Sequence, residues 1–104
     1  MAEYIKVAKI HEIPGISGKR LNINGKKIAL FKKKNSVYAI RNSCPHQGAE
    51  LSEGHIIDSN VVCPLHGWQF NLKTGSFSGN ENIRIPTYRV KVENDDVYIL
   101  MNNE

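Results

Sequence analysis

The sequence predicts a small all-β domain, and three observations carry that prediction. Short runs rich in β-branched and aromatic residues recur along the chain. Strong turn signals separate them, and no segment keeps a helical period over two turns. In chain order the runs are Tyr4 to Ile10, Leu21 to Asn24, Lys27 to Phe31, Val37 to Arg41, Val61 to Cys63, Tyr88 to Glu93 and Val97 to Met101. Asn24-Gly25 joins two of them, and both residues accept the positive φ of a type I′ hairpin turn. Asn94-Asp95-Asp96 does the same between the last two runs, where Val90 and Val92 are expected to face one way and Arg89 and Lys91 the other.

At 104 residues the chain makes one domain with a modest core. With 40% hydrophobic and 23% charged residues it has the composition of a soluble globular protein, not of a disordered or membrane-spanning one. The longest apolar runs, such as Val97 to Met101, are far too short to span a bilayer. Met1 to Lys6 lacks the apolar stretch of a signal peptide. A cytoplasmic location without membrane attachment is the expectation.

The chemistry is concentrated in two short stretches. Cys44 and His46 stand in Cys-Pro-His, and Cys63 and His66 in Cys-Pro-Leu-His; the chain has no other cysteine. Thiolate and imidazole suit zinc, iron or an iron–sulfur cluster. A zinc finger pairs cysteines with cysteines and histidines with histidines at close spacing. Here each loop supplies one sulfur and one nitrogen, with sixteen residues from Gln47 to Val62 between the loops. That arrangement suits a two-iron cluster with both thiolates on one iron and both imidazoles on the other. A zinc site remains chemically open. So does a Cys44–Cys63 disulfide, although it leaves both histidines without a purpose.

Cys44-Pro45-His46-Gln47-Gly48-Ala49 and Cys63-Pro64-Leu65-His66-Gly67-Trp68 resemble the two cluster-binding loops of Rieske [2Fe–2S] proteins. The similarity continues through Leu51-Ser52-Glu53-Gly54 and Phe70-Asn71-Leu72-Lys73-Thr74-Gly75. Within the family the chain is most similar to soluble Rieske ferredoxins, the electron carriers of ring-hydroxylating dioxygenases. The resemblance implies a single domain of stacked antiparallel sheets with a cluster-binding insertion at approximately residues 43–72. It implies one [2Fe–2S] cluster held by Cys44, His46, Cys63 and His66, the histidines nearer solvent. It also implies protein partners, a flavin-dependent reductase and a terminal oxygenase, and no catalysis by the chain itself. The small subunit of an assimilatory nitrite reductase is the nearest functional alternative. A redox- or iron-sensing module and a zinc-stabilised interaction domain are further rivals.

Oxidised, such a cluster has no net charge with two thiolates and two neutral imidazoles, so it accepts an electron more easily than an all-cysteine cluster. Pro45 and Pro64 stiffen the loops, while Gly48 and Gly67 free their backbone. High-potential relatives bridge their loops with a disulfide; the corresponding positions here are Ala49 and Leu65. Hydroxyls that bond cluster sulfurs in those relatives are replaced by Trp68 and Phe70, which are expected to pack the loop rather than conduct electrons. A proline-rich cover after the second loop is replaced by Gly75 to Asn80, implying a more mobile cover. His11 and His55 have no cysteine beside them and are expected away from the metal.

Charge is uneven. Residues 1–49 hold ten Lys/Arg against two acids, and residues 50–104 hold four against eight. The basic half carries Lys26-Lys27 and Lys32-Lys33-Lys34. Without interleaved aromatics this pattern does not indicate nucleic-acid binding; lysine-protected strand edges explain it, and docking to an acidic redox partner is a further use. Glu50, Glu53 and Asp58 are candidates for facing a basic partner. With few hydroxyls near the sulfurs, the reduction potential is expected at the low end of the Rieske range, about −150 mV. It should fall at high pH, because loss of a ligand imidazole proton opposes reduction. An EPR-monitored redox titration repeated across the alkaline range tests both; a high, pH-independent potential would contradict them.

Overall fold

The computed structural model describes residues 2–45, 48–65 and 67–102, and among these the only helical segments are two 3-10 turns, Ile10–Glu12 and Leu51–Glu53. Among the described residues twelve strands form three antiparallel sheets. The first holds β1 (Ala2–Lys9), β12 (Asp96–Asn102) and β11 (Val90–Glu93), with β12 in the middle. In the second, β10 (Thr87–Tyr88), β4 (Ser36–Arg41), β3 (Lys26–Lys33) and β2 (Lys19–Ile23) lie in that order. Between β4 and β10 the chain builds the third. Its order is β5 (Ile56–Ile57), β6 (Asn60–Val62), β7 (Gln69–Asn71), β8 (Ser76–Phe77) and β9 (Asn80–Arg84).

The second sheet is the middle layer, and β3 explains why. Ile28, Ala29, Leu30 and Phe31 are all wholly buried, so neither face of this strand meets water. Ile28 and Leu30 pack with Ala39, Val97, Ile99 and Met101 towards the first sheet. Ala29 and Phe31 point the other way, into a second core with Ile40, Leu51, Val61 and Phe70. Alternation of side chains along a strand therefore places two cores back to back across one sheet.

Both hairpin signals hold. Asn24 and Gly25 join β2 to β3 with φ of 53° and 82°, and the Asn22 side chain accepts the Gly25 N–H at 3.1 Å. Asn94 and Asp95 join β11 to β12 with φ of 51° and 70°, as a type I′ turn requires. The run Tyr88 to Glu93 is not one strand. Tyr88 pairs with Ala39 in the middle sheet, whereas Val90 pairs with Ile99 in the first. The chain changes layer at Arg89, whose carbonyl accepts the Leu100 N–H at 2.9 Å. Val90 packs on the core as expected, but Val92 is exposed at the strand end. Strands β5, β7, β8 and β9 were not expected. They are short, and Asn80–Arg84 is too polar to carry a strand pattern.

Gly54 follows the second 3-10 turn, where the returning backbone passes against β6. A Cβ there would overlap the Val62 carbonyl oxygen although the φ of −79° is ordinary. Gly54→Ala is therefore expected to destabilise the fold by about 1–3 kcal/mol through overpacking. A fall in the chemical-unfolding midpoint at unchanged slope checks this; an unchanged midpoint would show that the third sheet moves aside freely.

Candidate metal centre

Two loops of the third-sheet segment carry the cysteines, and their backbones close in the same way. The Cys44 N–H donates to the Ala49 carbonyl at 2.9 Å, and the Gly48 N–H returns to the Cys44 carbonyl at 2.6 Å. In the second loop the Cys63 N–H donates to Trp68 at 2.7 Å, and the Gly67 N–H to Cys63 at 3.0 Å. Each closure needs a left-handed residue four positions after the cysteine, and Gly48 and Gly67 supply it with φ of 71° and 74°. Among the described residues nothing lies within 4 Å of a Cβ placed at either glycine, so backbone conformation is the demand that selects them.

Both sulfur-bearing residues point inward. Cys44 and Cys63 are 1% and 2% exposed and belong to one packed group with Ile40, Leu51, Val61 and Phe70. No disulfide joins them, which removes that alternative. Two thiols brought from separate loops into one dry pocket are the donor set that one iron of a mixed-ligand cluster requires. His46 and His66 lie outside the described residues. Their neighbours Pro45, Pro64 and Leu65 are exposed, Leu65 at 56%, so the loop tips face solvent while the cysteines do not.

The remaining expectations sort by environment. His11 is exposed on the first 3-10 turn, and His55 is exposed on the third-sheet segment, where its carbonyl accepts the Val62 N–H at 2.9 Å just before Cys63. Trp68 and Phe70 pack, as expected. Phe77, which the sequence reading passed over, completes the arrangement by stacking on Trp68 at 4.1 Å and lying 5.7 Å from Phe70. The segment from Gly75 to Asn80 is accordingly not a loose cover. Its backbone is tied to the third sheet through Ser78 to Gln69 at 2.9 Å and Gly75 to Asn71 at 2.8 Å. Its alternation of small and polar residues around one aromatic hid that pairing.

Glu50 and Asn42 were also missed as supports. Asn42 is 1% exposed and stands just before the first loop, and its side-chain oxygen accepts the Ser52 N–H at 2.7 Å. Its amide donates to Glu50 at 3.3 Å, and Glu50 in turn holds Arg20 at 3.1 and 3.2 Å. Glu50 is thus turned into the scaffold rather than offered to a basic partner, whereas Glu53 and Asp58 are exposed. No sequence signal marked Asn42, because only its burial obliges its amide to find partners.

Removing Asn42 leaves the Ser52 N–H buried and unpaired, which costs about 1–3 kcal/mol. Asn42→Ala is expected to lower the unfolding midpoint accordingly and to shorten the lifetime of the visible chromophore in air. Arg20→Ala breaks only a solvent-exposed pair and should change stability by about 0–1 kcal/mol. Equal losses in the two variants would show that Asn42 has no special place.

Comparison with known proteins agrees with this geometry. Residues 3–100 match the Rieske-like [2Fe-2S] domain family. A ferredoxin component of the naphthalene 1,2-dioxygenase/salicylate 5-hydroxylase systems of Ralstonia sp is 34% identical over 99 residues, covering 94% of this chain and 95% of its own. The solved complex of reduced oxygenase and oxidised ferredoxin in carbazole 1,9a-dioxygenase contains a chain with TM-score 0.81 and 28% identity, covering 92% of this chain and 91% of its own. A protein provisionally named nitrite reductase NADPH (small subunit) gives TM-score 0.87 at 28% identity, covering 95% and 99%. Buried paired thiols, identically closed loops and a match along nearly the whole length lead to one conclusion: the chain belongs to the Rieske-like [2Fe–2S] domain family, with one [2Fe–2S] cluster as its cofactor.

Proposed function

We propose that this protein is a Rieske-type ferredoxin that carries single electrons from a flavin-dependent reductase to a terminal oxygenase in the cytoplasm. Cys44 and Cys63 ligate one iron and His46 and His66 the other, within a single domain whose cluster-holding part is approximately residues 43–72. The observation that carries this reading is the pair of matching loops, which bury two thiols in one packed group and leave their tips exposed. A carrier needs that combination, because its cofactor must be shielded from water yet lie close to the surface that a partner reaches.

Histidine ligation supplies a one-electron centre with a higher potential than an all-cysteine one. This chain's own residues set where in the range it falls. Trp68 and Phe70 present rings, not hydroxyls, behind the second loop, which supports a low-potential carrier. Relatives named as ferredoxin components extend along almost the full length of the chain, which supports the oxygenase as acceptor and electron transfer rather than catalysis as the role. No described helix is long and apolar enough to cross a membrane.

The nitrite reductase reading has two structural neighbours, but the one at 21% identity speaks for the fold alone and the other is 28% identical, against 34% for the ferredoxin component. Anaerobically purified protein should be red-brown and, after dithionite, give the rhombic low-average-g EPR signal of a mixed histidine/cysteine cluster. Alanine at Cys44, His46, Cys63 or His66 should each abolish that signal, whereas His11→Ala and His55→Ala should retain it. A colourless zinc protein after iron-replete expression, or an intact signal in any of the four ligand variants, would overturn the assignment. The two functional readings separate on whether the reduced protein supports a ring-hydroxylating oxygenase or a nitrite reductase large subunit.

A further inference from the structure

Beside the first ligand loop, the basic half of the chain forms a cleft of about 640 Å³. Lys26, Lys27, Arg41, Ser43, Pro86 and Tyr88 line it. We propose that this cleft receives a carboxylate-rich face of a protein redox partner, an inference that rests on the electron-carrier reading above.

Strand register gathers the three cations. Arg41 ends β4 directly opposite Ile28 of β3, which follows Lys26 and Lys27. The Asn42 N–H then donates to the Lys27 carbonyl at 2.9 Å, and the Arg41 N–H to Pro86 at 3.0 Å, so the cleft wall and the base of the loop share backbone hydrogen bonds. Among the described residues Lys26, Lys27 and Arg41 enter no salt bridge, and no acid lines the cleft. Four other cations are matched, Arg20 by Glu50, Lys6 and Lys9 by Asp96, and Lys91 by Glu93, whereas Lys32, Lys33 and Lys34 at the other end of β3 enter no salt bridge among the described residues. What distinguishes Lys26, Lys27 and Arg41 is that they converge on one cleft that no acid lines, beside the base of the first ligand loop.

Position and shape point to an extended acidic surface. Ser43 on the cleft wall is covalently next to Cys44, so a partner seated here lies against the loop that holds a thiolate. The three cations and Pro86 are exposed on an open rim, and nothing here encloses a small anion. Tyr88 adds a half-buried ring whose phenol burial pushes above its usual range, with Arg41 opposing weakly, so it stays a neutral, packable group. Three unpaired charges beside the base of the first ligand loop steer an acidic partner and fix its orientation, at a rate that falls with salt.

The experiment pairs the reduced holoprotein with oxidised cytochrome b5, whose haem edge is ringed by carboxylates, and with cytochrome c, whose edge is ringed by lysines. One electron leaves the reduced centre, returning it to the all-ferric state, and reduces the haem iron from ferric to ferrous. At 0.1 M salt the triple variant Lys26→Glu, Lys27→Glu, Arg41→Glu should lose about tenfold or more in the bimolecular rate with cytochrome b5. It should not lose rate with cytochrome c. The charge-matched variant Lys32→Glu, Lys33→Glu, Lys34→Glu alters the other end of β3, roughly 20 Å away at about 3.3 Å per residue. It should lose less than about threefold with cytochrome b5, being beyond the roughly 10 Å screening length at 0.1 M salt. Independently of electron flow, carbodiimide cross-links between the wild-type holoprotein and cytochrome b5 should map to Lys26 and Lys27. Equal rate losses in the two triple variants, or cross-links concentrated at Lys32 to Lys34, would overturn the docking face. Cross-links at Lys26 and Lys27 with no electron transfer to either haem would uphold the docking face while defeating the carrier reading.

Discussion

Ile28, Ala29, Leu30 and Phe31 have no solvent-facing side, and the geometry of both ligand loops descends from that burial. A strand buried on both faces cannot slip by one residue without exchanging its two sets of side chains between cores of different shape. Burying the large side chains of this run contributes about 1.5–3 kcal/mol each, so register is firmly held. Once β3 is pinned, β4 is pinned beside it, and the first ligand loop leaves from the end of β4. Val61 and Phe70, adjacent to the second loop, close the core that Phe31 opens. Both thiols are thus referred to one rigid strand.

Within that frame the loops are held by backbone, not by side-chain charge. Two hydrogen bonds and one left-handed glycine close each loop, and the arrangement repeats although the histidine is the third residue of the first loop and the fourth of the second. Side chains then fix each loop to its surroundings by different means. The first is moored by the buried amide of Asn42, which reaches across the loop to Ser52 and Glu50. Aromatic packing of Trp68, Phe70 and Phe77 moors the second. The buried amide outweighs the Arg20–Glu50 pair that accompanies it, because solvent screens the pair and water cannot replace the amide's partners.

The same economy of charge shows at the surface. A family cofactor that is neutral when oxidised places little demand on nearby cations, so the lysines and arginines beside the first loop are not needed to hold it. Lys6, Lys9, Arg20 and Lys91 each have an acid within 4 Å. Lys26, Lys27 and Arg41 instead gather at neighbouring ends of β3 and β4, at the base of the first ligand loop. Aromatic groups on the outer face of the first sheet also take Lys91, which lies 4.6 Å from the Tyr4 ring and 5.1 Å from Tyr98.

By itself the sequence proposed the ligand chemistry and determined much of the scaffold. Cys44, His46, Cys63 and His66 could be chosen because donor identity and spacing are local properties, and the Asn24-Gly25 and Asn94-Asp95 turns because positive φ is a local demand on a residue. Long apolar strands such as β3 and β12 were legible for the same reason. Tertiary structure alone decided the rest. Thr87–Tyr88 and Val90–Glu93 carry one continuous strand pattern, yet they belong to different sheets because the chain must cross between layers at Arg89. Gln69–Asn71, Ser76–Phe77 and Asn80–Arg84 are strands only because each finds a neighbour's backbone, which no period in so few polar residues can announce. Asn42, Glu50 and Phe77 acquired their roles from burial and from partners distant in sequence. Ligand chemistry is written residue by residue, whereas mooring depends on which surfaces meet.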